Sequence, residues 1–587
     1  MTKLPHFSGT LAALLILAFF FLRLDAAVAD NGSGFPWRFA ERYTVAEVFG
    51  DPRRGEAFTR EYLKWEGAFF ALARHPKTGL TYDGLNLDPG TGKAEMPRLF
   101  SAPSKECLDL ALCVKALTGN RRAALAVSPQ DPSRAKTAAV EILEKKVASY
   151  ERFLKENPGY AGFLPWFESK DTATPAPDWR NEFPGLDNGE WLWTMLTAEH
   201  VLRRQGLSAL AKRYKDYNDG IKNKVAKIFY DPKTGKVRGD VRFAPSWERG
   251  LSYVSAPGKC AYLTGEHGVH EGMMMALYVS LFGKGLPANG STRIWSGIRL
   301  KRVEHKYGST WEGWYGSAHE SWAYLILPLR DLPEYGLLFR IREIIRTRNA
   351  RDRGYPGLAA SCLINRNRYA DRAGIEGIGK LPVTENHLFA VYGAFPLLLE
   401  CSKGRGGNYG LAWLINMLKA DRMQGPLGGG ECGSNDGTSV ADVKTIDGSF
   451  TNVLALCGGL EKETKDMLKA EGRYERALVS VETPERLYER QWALTMMDVV
   501  LDTLRNEYVA AGNGRLFDAL SGLLTDRGGT HADAARELDM TIPAVKMAVH
   551  RLRRRYREAL RERVADTVES PGEVDDEIRH LMEMVGL

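Results

Sequence analysis

The sequence has few cysteines and no arrangement that would make them act together. Seven cysteines are scattered over 587 residues, with no C-x-x-C pair and no histidine at zinc-finger spacing. Most of them lie inside apolar runs with helical spacing. This pattern excludes a disulfide-rich scaffold and a zinc finger, and it predicts buried free thiols.

Charge of one sign is not in large excess either. The chain has 80 basic and 73 acidic residues, which gives a net charge of +7. That balance excludes a protein that binds nucleic acid over its whole surface. The basic excess is local, since residues 551–563 contain seven arginines, and any nucleic-acid site is expected in that segment.

The apolar run at the N-terminus is short. It covers residues 11–22 and lies between Lys3 and the small residues 27–29, whereas ~20 residues are needed to span a bilayer. This is the three-part layout of a secretory signal peptide. We therefore expect residues 1–29 to direct export to the periplasm or the medium, with no stable membrane span; a permanent anchor is the alternative.

Strand-like alternation is sparse, and helical periodicity dominates residues 56–470. Six helices that are apolar around most of their circumference each follow a polar cluster, as buried inner helices do: 104–117, 187–202, 267–282, 316–329, 384–400 and 447–460. Charged, amphipathic helices alternate with them at 56–74, 136–155, 207–229, 332–349 and 408–420. The pattern predicts an all-α fold, a six-hairpin α/α toroid (barrel) over 38–470, then a junction at 471–482 and a small helical domain at 483–587.

The loops that lead into the inner helices are rich in aromatic, histidine and acidic residues, which suit a neutral, hydroxyl-rich polymer. Aromatic faces stack on sugar rings, and carboxylates and amides bind hydroxyls. The predicted substrate-binding residues are Asp187, Trp191, Glu266, His267, His270, Trp314, His319, Glu320, Glu385, Asn386 and Asp436.

Each of these signals has a structural alternative. Asp187 is equally well placed to cap a helix, and tryptophans in helix interiors, such as Trp193 and Trp322, often pack in a core. The histidines at 267 and 270 have no third compelling ligand. We therefore expect no metal ion and no cofactor.

Hydrolysis of a glycosidic bond needs one carboxylic acid to protonate the leaving oxygen and one carboxylate to activate water or attack carbon. Glu271, at the start of an inner helix behind GEHGVH, fits the acid, and Asp447, at the head of the last inner helix, fits the base. Other carboxylates compete for these roles: Glu266, Glu312, Glu320, Glu385, Asp187 and Asp436.

The motifs SKECLDLAL, LDNGEWLW, GEHGVHEG, WEGWYGSAHESWAYL, TENHLFAVYGAF and KTIDGSF together resemble those of the α/α-barrel β-1,2-glucanases. The resemblance covers residues 38–465. It implies a β-glucan substrate and an inverting enzyme with a glutamic acid near the middle of the domain and an aspartate base near its end. Glu271 and Asp447 match that order.

Residues 482–587 resemble the C-terminal part of extracytoplasmic-function sigma factors, with a helix-turn-helix at 531–563. The resemblance implies DNA and RNA polymerase as partners, although the upstream sigma domain that melts the promoter is missing. A basic helix that is merely solvated is the alternative. In the predicted DNA site, early residues of the second helix face the major groove and arginines reach phosphates: Thr541, Ala544, Lys546, Met547, Arg551, Arg553, Arg554 and Arg555.

The sequence thus predicts an exported glycoside hydrolase that carries a sigma-like helix-turn-helix. The alternative is a transcription regulator whose barrel senses a glucan, which would place the protein in the cytoplasm.

Overall fold

The computed structural model describes residues 37–246, 250–264, 272–296, 298, 301–401, 408–477, 485–524, 530–568 and 570–585. Its first sixteen helices are α1 Val45–Gly50, α2 Pro52–Leu72, α3 Pro103–Leu117, α4 Arg121–Val127, α5 Ala135–Glu156, α6 Gly185–Arg204, α7 Ser208–Lys222, α8 Val225–Phe229, α9 Gly272–Phe282, α10 Gly290–Ser296, α11 Ala323–Ile326, α12 Pro333–Asp352, α13 Phe395–Cys401, α14 Tyr409–Leu418, α15 Ile446–Leu456 and α16 Glu461–Ala470. Farther along the chain lie α17 Glu485–Ala510, α18 Gly514–Ser521, α19 His531–Leu538, α20 Ile542–Ala565 and α21 Val574–Val585.

The strands are short and antiparallel. They are β1 Gly84–Leu87, β2 Ala94–Arg98, β3 Phe100–Ser101, β4 Phe167–Ser169, β5 Ala173–Pro175, β6 Glu182–Pro184, β7 Asp240–Ser246, β8 Gly250–Ser255, β9 Arg302–His305, β10 Gly308–Trp311, β11 Cys362–Asn365, β12 Arg368–Ala370, β13 Leu388–Ala390, β14 Gln424–Gly425, β15 Gly428–Gly429, β16 Cys432–Ser434 and β17 Val443–Thr445. Three sheets have the strand orders β17-β1-β2, β3-β4-β5 and β6-β7-β8, and the others are pairs.

The inner helices form a ring. Helix α3 packs against α6, α6 against α9, α13 against α15, and α15 returns to α3. Every residue of α3 and of α9 is buried, because these helices have neighbours on all sides. Helix α9 is almost wholly apolar, whereas α3 also buries four charged residues, each paired with a charged side chain elsewhere. The all-α toroid predicted from the sequence is confirmed.

Two of the predicted inner helices are shorter than the apolar pattern indicated. The segment 384–400 becomes strand β13, a 3-10 turn at Val391–Ala394 and then α13. Pro396 explains this start, because proline fits only the first turn of a helix. The segment 316–329 is a 3-10 turn at Ala318–Ser321 followed by one turn of α11, and the chain leaves the helix before Pro328.

Short strands lead directly into three inner helices: β3 into α3, β6 into α6 and β17 into α15. Strand β17 pairs with β1, with Gly84 opposite Thr445. A Cβ atom on Gly84 would stand 1.9 Å from the carbonyl oxygen of Lys444, so only glycine allows this approach. The pairing ties the start of the toroid to its last hairpin.

A buried ion pair strengthens the same junction. The Lys444 ammonium lies 3.0 Å from Oε2 of Glu66 on α2, and both side chains are buried. The backbone N–H of Gly429 also donates to Glu66 Oε1 at 2.8 Å. The segment just before α15 is therefore held by hydrogen-bonded charges on the first long helix.

None of the six cysteines whose side chains the structure describes forms a disulfide. Five of them are buried free thiols and Cys260 is half-buried, as predicted: Cys107, Cys113, Cys362, Cys432 and Cys457. None of the described helices is long and apolar enough to cross a membrane.

The C-terminal helices have a hydrophobic cluster of their own, between Met496 and Leu581, distinct from the cluster of the toroid. Within it, α19 begins with a capping box on Thr530 and ends at Asp539, whose φ of 53° is left-handed. Thr541 then caps α20. This is a helix, a tight turn and a second helix. The boundary at 471–482 stays a prediction.

Candidate active site

A cavity of about 340 Å³ lies where the strand-led ends of α3, α6 and α15 meet. Carboxylates, basic side chains and aromatic rings share its wall. The polar and aromatic lining residues are Asp83, Arg98, Phe100, Ser104, Lys105, Trp166, Asp187, Glu190, His319, Trp322, Ser361, Tyr369, Tyr392, Glu431, Thr445 and Asp447.

Asp447 is the second residue of α15, and the local sequence fixes it there. The Thr445 hydroxyl oxygen accepts a hydrogen bond from the Gly448 N–H at 3.0 Å and so caps the helix. Glu431 accepts from the Thr445 N–H at 2.9 Å and from its hydroxyl at 2.8 Å. The Asp447 carboxylate therefore stands in the first turn of a helix, where the helix dipole favours negative charge.

Basic side chains balance part of the negative charge near Asp447. The Lys105 ammonium donates to Asp447 Oδ2 at 2.7 Å and lies 3.5 Å from Asp83 Oδ1. Arg98 pairs with the other oxygen of Asp83 at 2.8 Å. Burial raises the pKa of Asp447 and Lys105 lowers it, with burial the larger effect, so the pKa stays above its usual value. Burial also raises the pKa of Glu431 to about 7.

Asp187, in the first turn of α6, provides a second carboxyl group in the cavity. It does not cap the helix, whose N-cap is Pro184. Instead its Oδ2 accepts a hydrogen bond from the Trp166 indole at 2.5 Å. Burial raises the pKa of Asp187 to about 6, against the opposing effects of Trp166 and Lys105. This group carries a proton at mildly acidic pH, as a general acid must.

Aromatic rings supply faces on which a sugar can stack. The Trp166 ring lies edge-on to Phe100, with 5.5 Å between ring centroids, and 4.6 Å from Trp179. Tyr369, on the β11–β12 hairpin, lines the same cavity with 54% of its surface exposed. Carboxyl groups among aromatic surfaces are what binding and cleavage of a neutral carbohydrate require.

A family model described as endo-β-1,2-glucanase SGL matches residues 80–500. The chain belongs to this family of endo-β-1,2-glucanases. It is a glycoside hydrolase that acts on a β-glucan. No curated protein matched the chain.

Solved structures agree with the family. The endo-β-1,2-glucanase of Talaromyces funiculosus in complex with sophorose is 31% identical, covers 77% of this chain and 93% of its own, and superposes with a TM-score of 0.71. A mutant of that enzyme with β-1,2-glucan is 30% identical over 76% and 93%, with a TM-score of 0.71. An endo-β-1,2-glucanase of Chitinophaga pinensis, 14% identical over 75% and 98% with a TM-score of 0.53, shares the fold.

Of the residues predicted for this glucanase site, Asp187, His319 and Asp447 line the cavity. The His319 Nδ1 lies 3.3 Å from the Ser361 hydroxyl, and burial lowers the pKa of the imidazole. Trp322 also lines the cavity, although core packing was the favoured interpretation for interior tryptophans. Glu266, His267, His270 and the predicted acid Glu271 lie outside the described residues.

Trp191 corrects an expectation. Its side chain has no exposed surface, and its ring packs edge-on against Tyr150 and Tyr217, with centroids 5.1 and 5.9 Å apart. It lies in the core, as Trp193 does, because α6 has neighbours on every side. Trp191 is therefore a packing residue and not a substrate-binding residue.

Glu320 is also structural. Its Oε1 accepts hydrogen bonds from the N–H groups of Tyr315 and Gly316 at 2.7 and 2.8 Å and of Ser317 at 3.3 Å. Its other oxygen pairs with the buried Arg342. The carboxylate organises the turn before α11, and it does not line the cavity.

The remaining four predicted residues do not line the cavity either. Glu385 pairs with Arg368, the Asn386 amide donates to Glu376 at 3.4 Å, and Trp314 is half-buried. Exposed Asp436 closes its own turn, accepting from the Thr438 N–H at 3.0 Å and hydroxyl at 2.8 Å. The three polar side chains make local contacts, because turns use the same polar residue types as sugar sites.

Several lining residues were missed by the sequence reasoning: Asp83, Arg98, Lys105, Trp166, Glu190, Tyr369 and Glu431. Lys105 lies in SKECLDLAL, a polar cluster at the head of an inner helix, so its position carried the same signal as Asp187 and Asp447.

In the helix-turn-helix, the predicted DNA-binding residues fall into two groups. Lys546, Met547, Arg551 and Arg554 are exposed on α20, and Thr541 and the half-buried Ala544 begin the helix. Three of the arginines have partners within the chain, of which Arg554 lies 3.8 Å from Glu558 on the same helix. Arg553 donates to the Leu523 carbonyl at 3.0 Å, and Arg555 is paired with Glu507 at 2.6 Å and with Glu562 at 3.1 Å.

Proposed function

We propose that this chain is an endo-β-1,2-glucanase that cleaves with inversion and uses Asp447 as its base. The proposal rests on how the two oxygens of the Asp447 carboxylate are hydrogen-bonded. Its Oδ2 is held by Lys105, and its Oδ1 is buried with no hydrogen-bond partner among the described residues. An oxygen in this position accepts a proton from water, directly or through a sugar hydroxyl.

The linkage is inferred from the relatives. The Talaromyces funiculosus enzyme, at 31% identity, was solved with sophorose, and its mutant with β-1,2-glucan. These ligands support a β-1,2-linked substrate for this chain.

For the acid, two carboxyl groups are candidates. Glu271 directly precedes Gly272, the first residue of the inner helix α9, and it remains the predicted acid. Asp187 is the alternative, because burial raises its pKa to about 6 in the cavity that also holds Asp447. In an inverting enzyme the acid and the base stand ~6.5–9.5 Å apart, or are linked through a substrate hydroxyl or a water.

The first test is Asp447→Asn in a reducing-end assay on β-1,2-glucan, with β-1,3- and β-1,4-glucans in parallel. The amide cannot accept the proton, so kcat is expected to fall by about 1,000-fold or more. Asp436→Asn is the matched control, since its carboxylate is exposed and bonded within its own turn. Near-normal turnover of Asp447→Asn would contradict the proposal.

The acid is identified with an activated substrate. An acid variant loses less activity on an aryl β-1,2-glucoside, whose leaving group needs no proton, than on the polymer. Glu271→Gln and Asp187→Asn are compared in this way, and the variant with the larger recovery has lost the acid.

Inversion predicts the α-anomer as the first product in time-resolved NMR, and a first product in the β-anomer would refute it.

A second function, DNA binding by residues 530–565, is favoured by one observation. Helices α19 and α20 enclose a tight left-handed turn, and the second helix exposes Lys546, Met547, Arg551 and Arg554 on its surface. This is the geometry with which a helix-turn-helix enters the major groove. Arg551 and Arg554 are the phosphate contacts expected to matter most.

The DNA test uses the full chain and a fluorescent duplex at several salt concentrations. The affinity is expected to fall with salt, with a log–log slope of about −0.9 for each phosphate contacted. Arg551→Ala with Arg554→Ala should weaken binding and flatten the slope. Arg561→Ala is the control, because Arg561 pairs with Asp575 at the far end of α20. Binding without salt dependence would contradict this function.

We further propose that the protein is exported, with cleavage after Ala29. N-terminal sequencing of protein from the periplasm or the medium should begin at Asp30. An exported, membrane-bound chain that still starts at Met1 would contradict cleavage and favour the permanent anchor, whereas a protein found in the cytoplasm alone would contradict export and favour the DNA-linked alternative.

A further inference from the structure

Lys105 is the basic residue closest to Asp447, and it is buried. It lies in the first turn of α3 with 6% of its surface exposed. Burying a lysine is costly unless its ammonium group is paired. Burial alone would lower its pKa, but the charges of Asp447, Asp83 and Asp187 outweigh that effect and raise it. The ammonium therefore stays charged.

The two carboxylates near Lys105 do not depend on it equally. Asp83 has a partner of its own, Arg98, at 2.8 Å, and its contact with Lys105 is 3.5 Å long. For Asp447 the shorter contact, 2.7 Å, is made with Lys105. Because Arg98 already pairs with Asp83, the main ion pair of Lys105 is the one with Asp447.

We propose that Lys105 is a positioning residue for the reaction: its ammonium holds Oδ2 of Asp447, keeps that carboxylate ionised, and leaves Oδ1 to accept the proton of water or of a sugar hydroxyl. The inference rests on the proposed function, because it assigns Lys105 to the base named there. Lys105 itself contacts no reacting atom. It acts through Asp447.

The ionised state of Asp447 depends on all groups that face the cavity from the surrounding elements: Asp83, Arg98, Asp187, Glu190, His319 and Glu431. Of these, Arg98 is a cation and is engaged by Asp83. Without Lys105, Asp447 would face acidic neighbours with no ammonium contact, and its pKa would rise. The acidic limb of the kcat–pH profile would then move to higher pH.

The experiment compares Lys105→Met with Lys105→Arg in the full chain on β-1,2-glucan. Lys105→Met should lower kcat by about 100-fold or more with a smaller change in KM, and should move the acidic limb upward by about one pH unit or more. Lys105→Arg keeps the charge and should keep the limb near its original pH. Lys105→Gln removes the charge with less disturbance and repeats the measurement if the methionine variant does not fold.

Lys115→Met is the matched control. Lys115 lies on the same helix with the same 6% exposure and pairs with Glu463 at 2.8 Å, about 15 Å from Lys105 along the helix axis. It should lower the melting temperature but leave the acidic limb in place. A Lys105→Met enzyme whose limb is also unmoved would overturn the inference, whatever its kcat.

The outcomes separate this inference from the proposed function. If Asp447→Asn is inactive and Lys105→Met keeps the parent pH profile, the base is right and the role of Lys105 is wrong. If Asp447→Asn keeps normal turnover, the proposed function itself fails.

Discussion

Replacing Trp191 should destabilise the toroid and leave substrate binding unchanged. The ring has no exposed surface and packs edge-on against Tyr150 and Tyr217. Truncating a fully buried tryptophan to alanine costs about 3–5 kcal/mol, and this cost includes the lost contacts with the neighbouring rings. We take about 4 kcal/mol as the expected loss in the free energy of unfolding.

That loss converts into a temperature shift. For a unit running from Phe39 to Ala477, an unfolding entropy of ~2.1 cal/mol/K per residue sums to about 0.9 kcal/mol/K. The melting temperature of Trp191→Ala should therefore fall by about 4 °C in calorimetry. Its KM for β-1,2-glucan, measured well below the transition, should equal that of the parent.

Trp166→Ala is the opposite case. Trp166 is half-buried and lines the cavity, so its loss should raise KM with a smaller effect on the melting temperature. If Trp191→Ala raised KM while its melting temperature stayed unchanged, Trp191 would have to contact the substrate and the reasoning from burial would be refuted.

Three further predictions concern charged groups. Burial raises the pKa of Asp187 to about 6, so above that pH the buried carboxylate is ionised and lowers the free energy of unfolding. Asp187→Asn removes this charge and should add about 3 kcal/mol to the free energy of unfolding at pH 8 and nothing below pH ~4. Denaturant titration at both pH values measures the difference. Glu320→Gln removes the carboxylate that pairs with the buried Arg342 and should cost about 3–5 kcal/mol in the same titration, with KM unchanged. Asp436→Asn should leave kcat and KM unchanged in the glucanase assay, because this carboxylate only closes an exposed turn.

The helices of the toroid could be predicted where an apolar segment is also a buried helix in the structure. The pattern placed α3 and α6 within two residues of their observed starts, because a helix that is apolar around most of its circumference and follows a polar cluster is typical of an inner helix. The pattern failed at 384–400, where the apolar run continues through Pro396 and periodicity alone cannot show that the helix begins only there.

Residues that line the cavity were predicted from the sequence where they begin an inner helix, and most others were not. Asp187 and Asp447 were found because each belongs to a polar cluster at the head of an apolar inner helix. Trp191 was misassigned and Trp166 missed, since the position of a tryptophan in the sequence does not show whether its ring faces the core or the cavity. Lys105 was overlooked because the chemistry of hydrolysis directs attention to carboxylates and not to the cations that hold them.

The closure of the ring has a consequence for how the enzyme is made. Asp447 follows its partner Lys105 by 342 positions, and Lys444 follows Glu66 by 378. At ~5–20 residues per second, a ribosome needs roughly 17–70 s between Lys105 and Asp447. Throughout that interval the nascent chain contains Lys105 without its partner Asp447, the proposed base. With Asp447 as the proposed base, a chain released before the final hairpin is expected to be inert toward glucan.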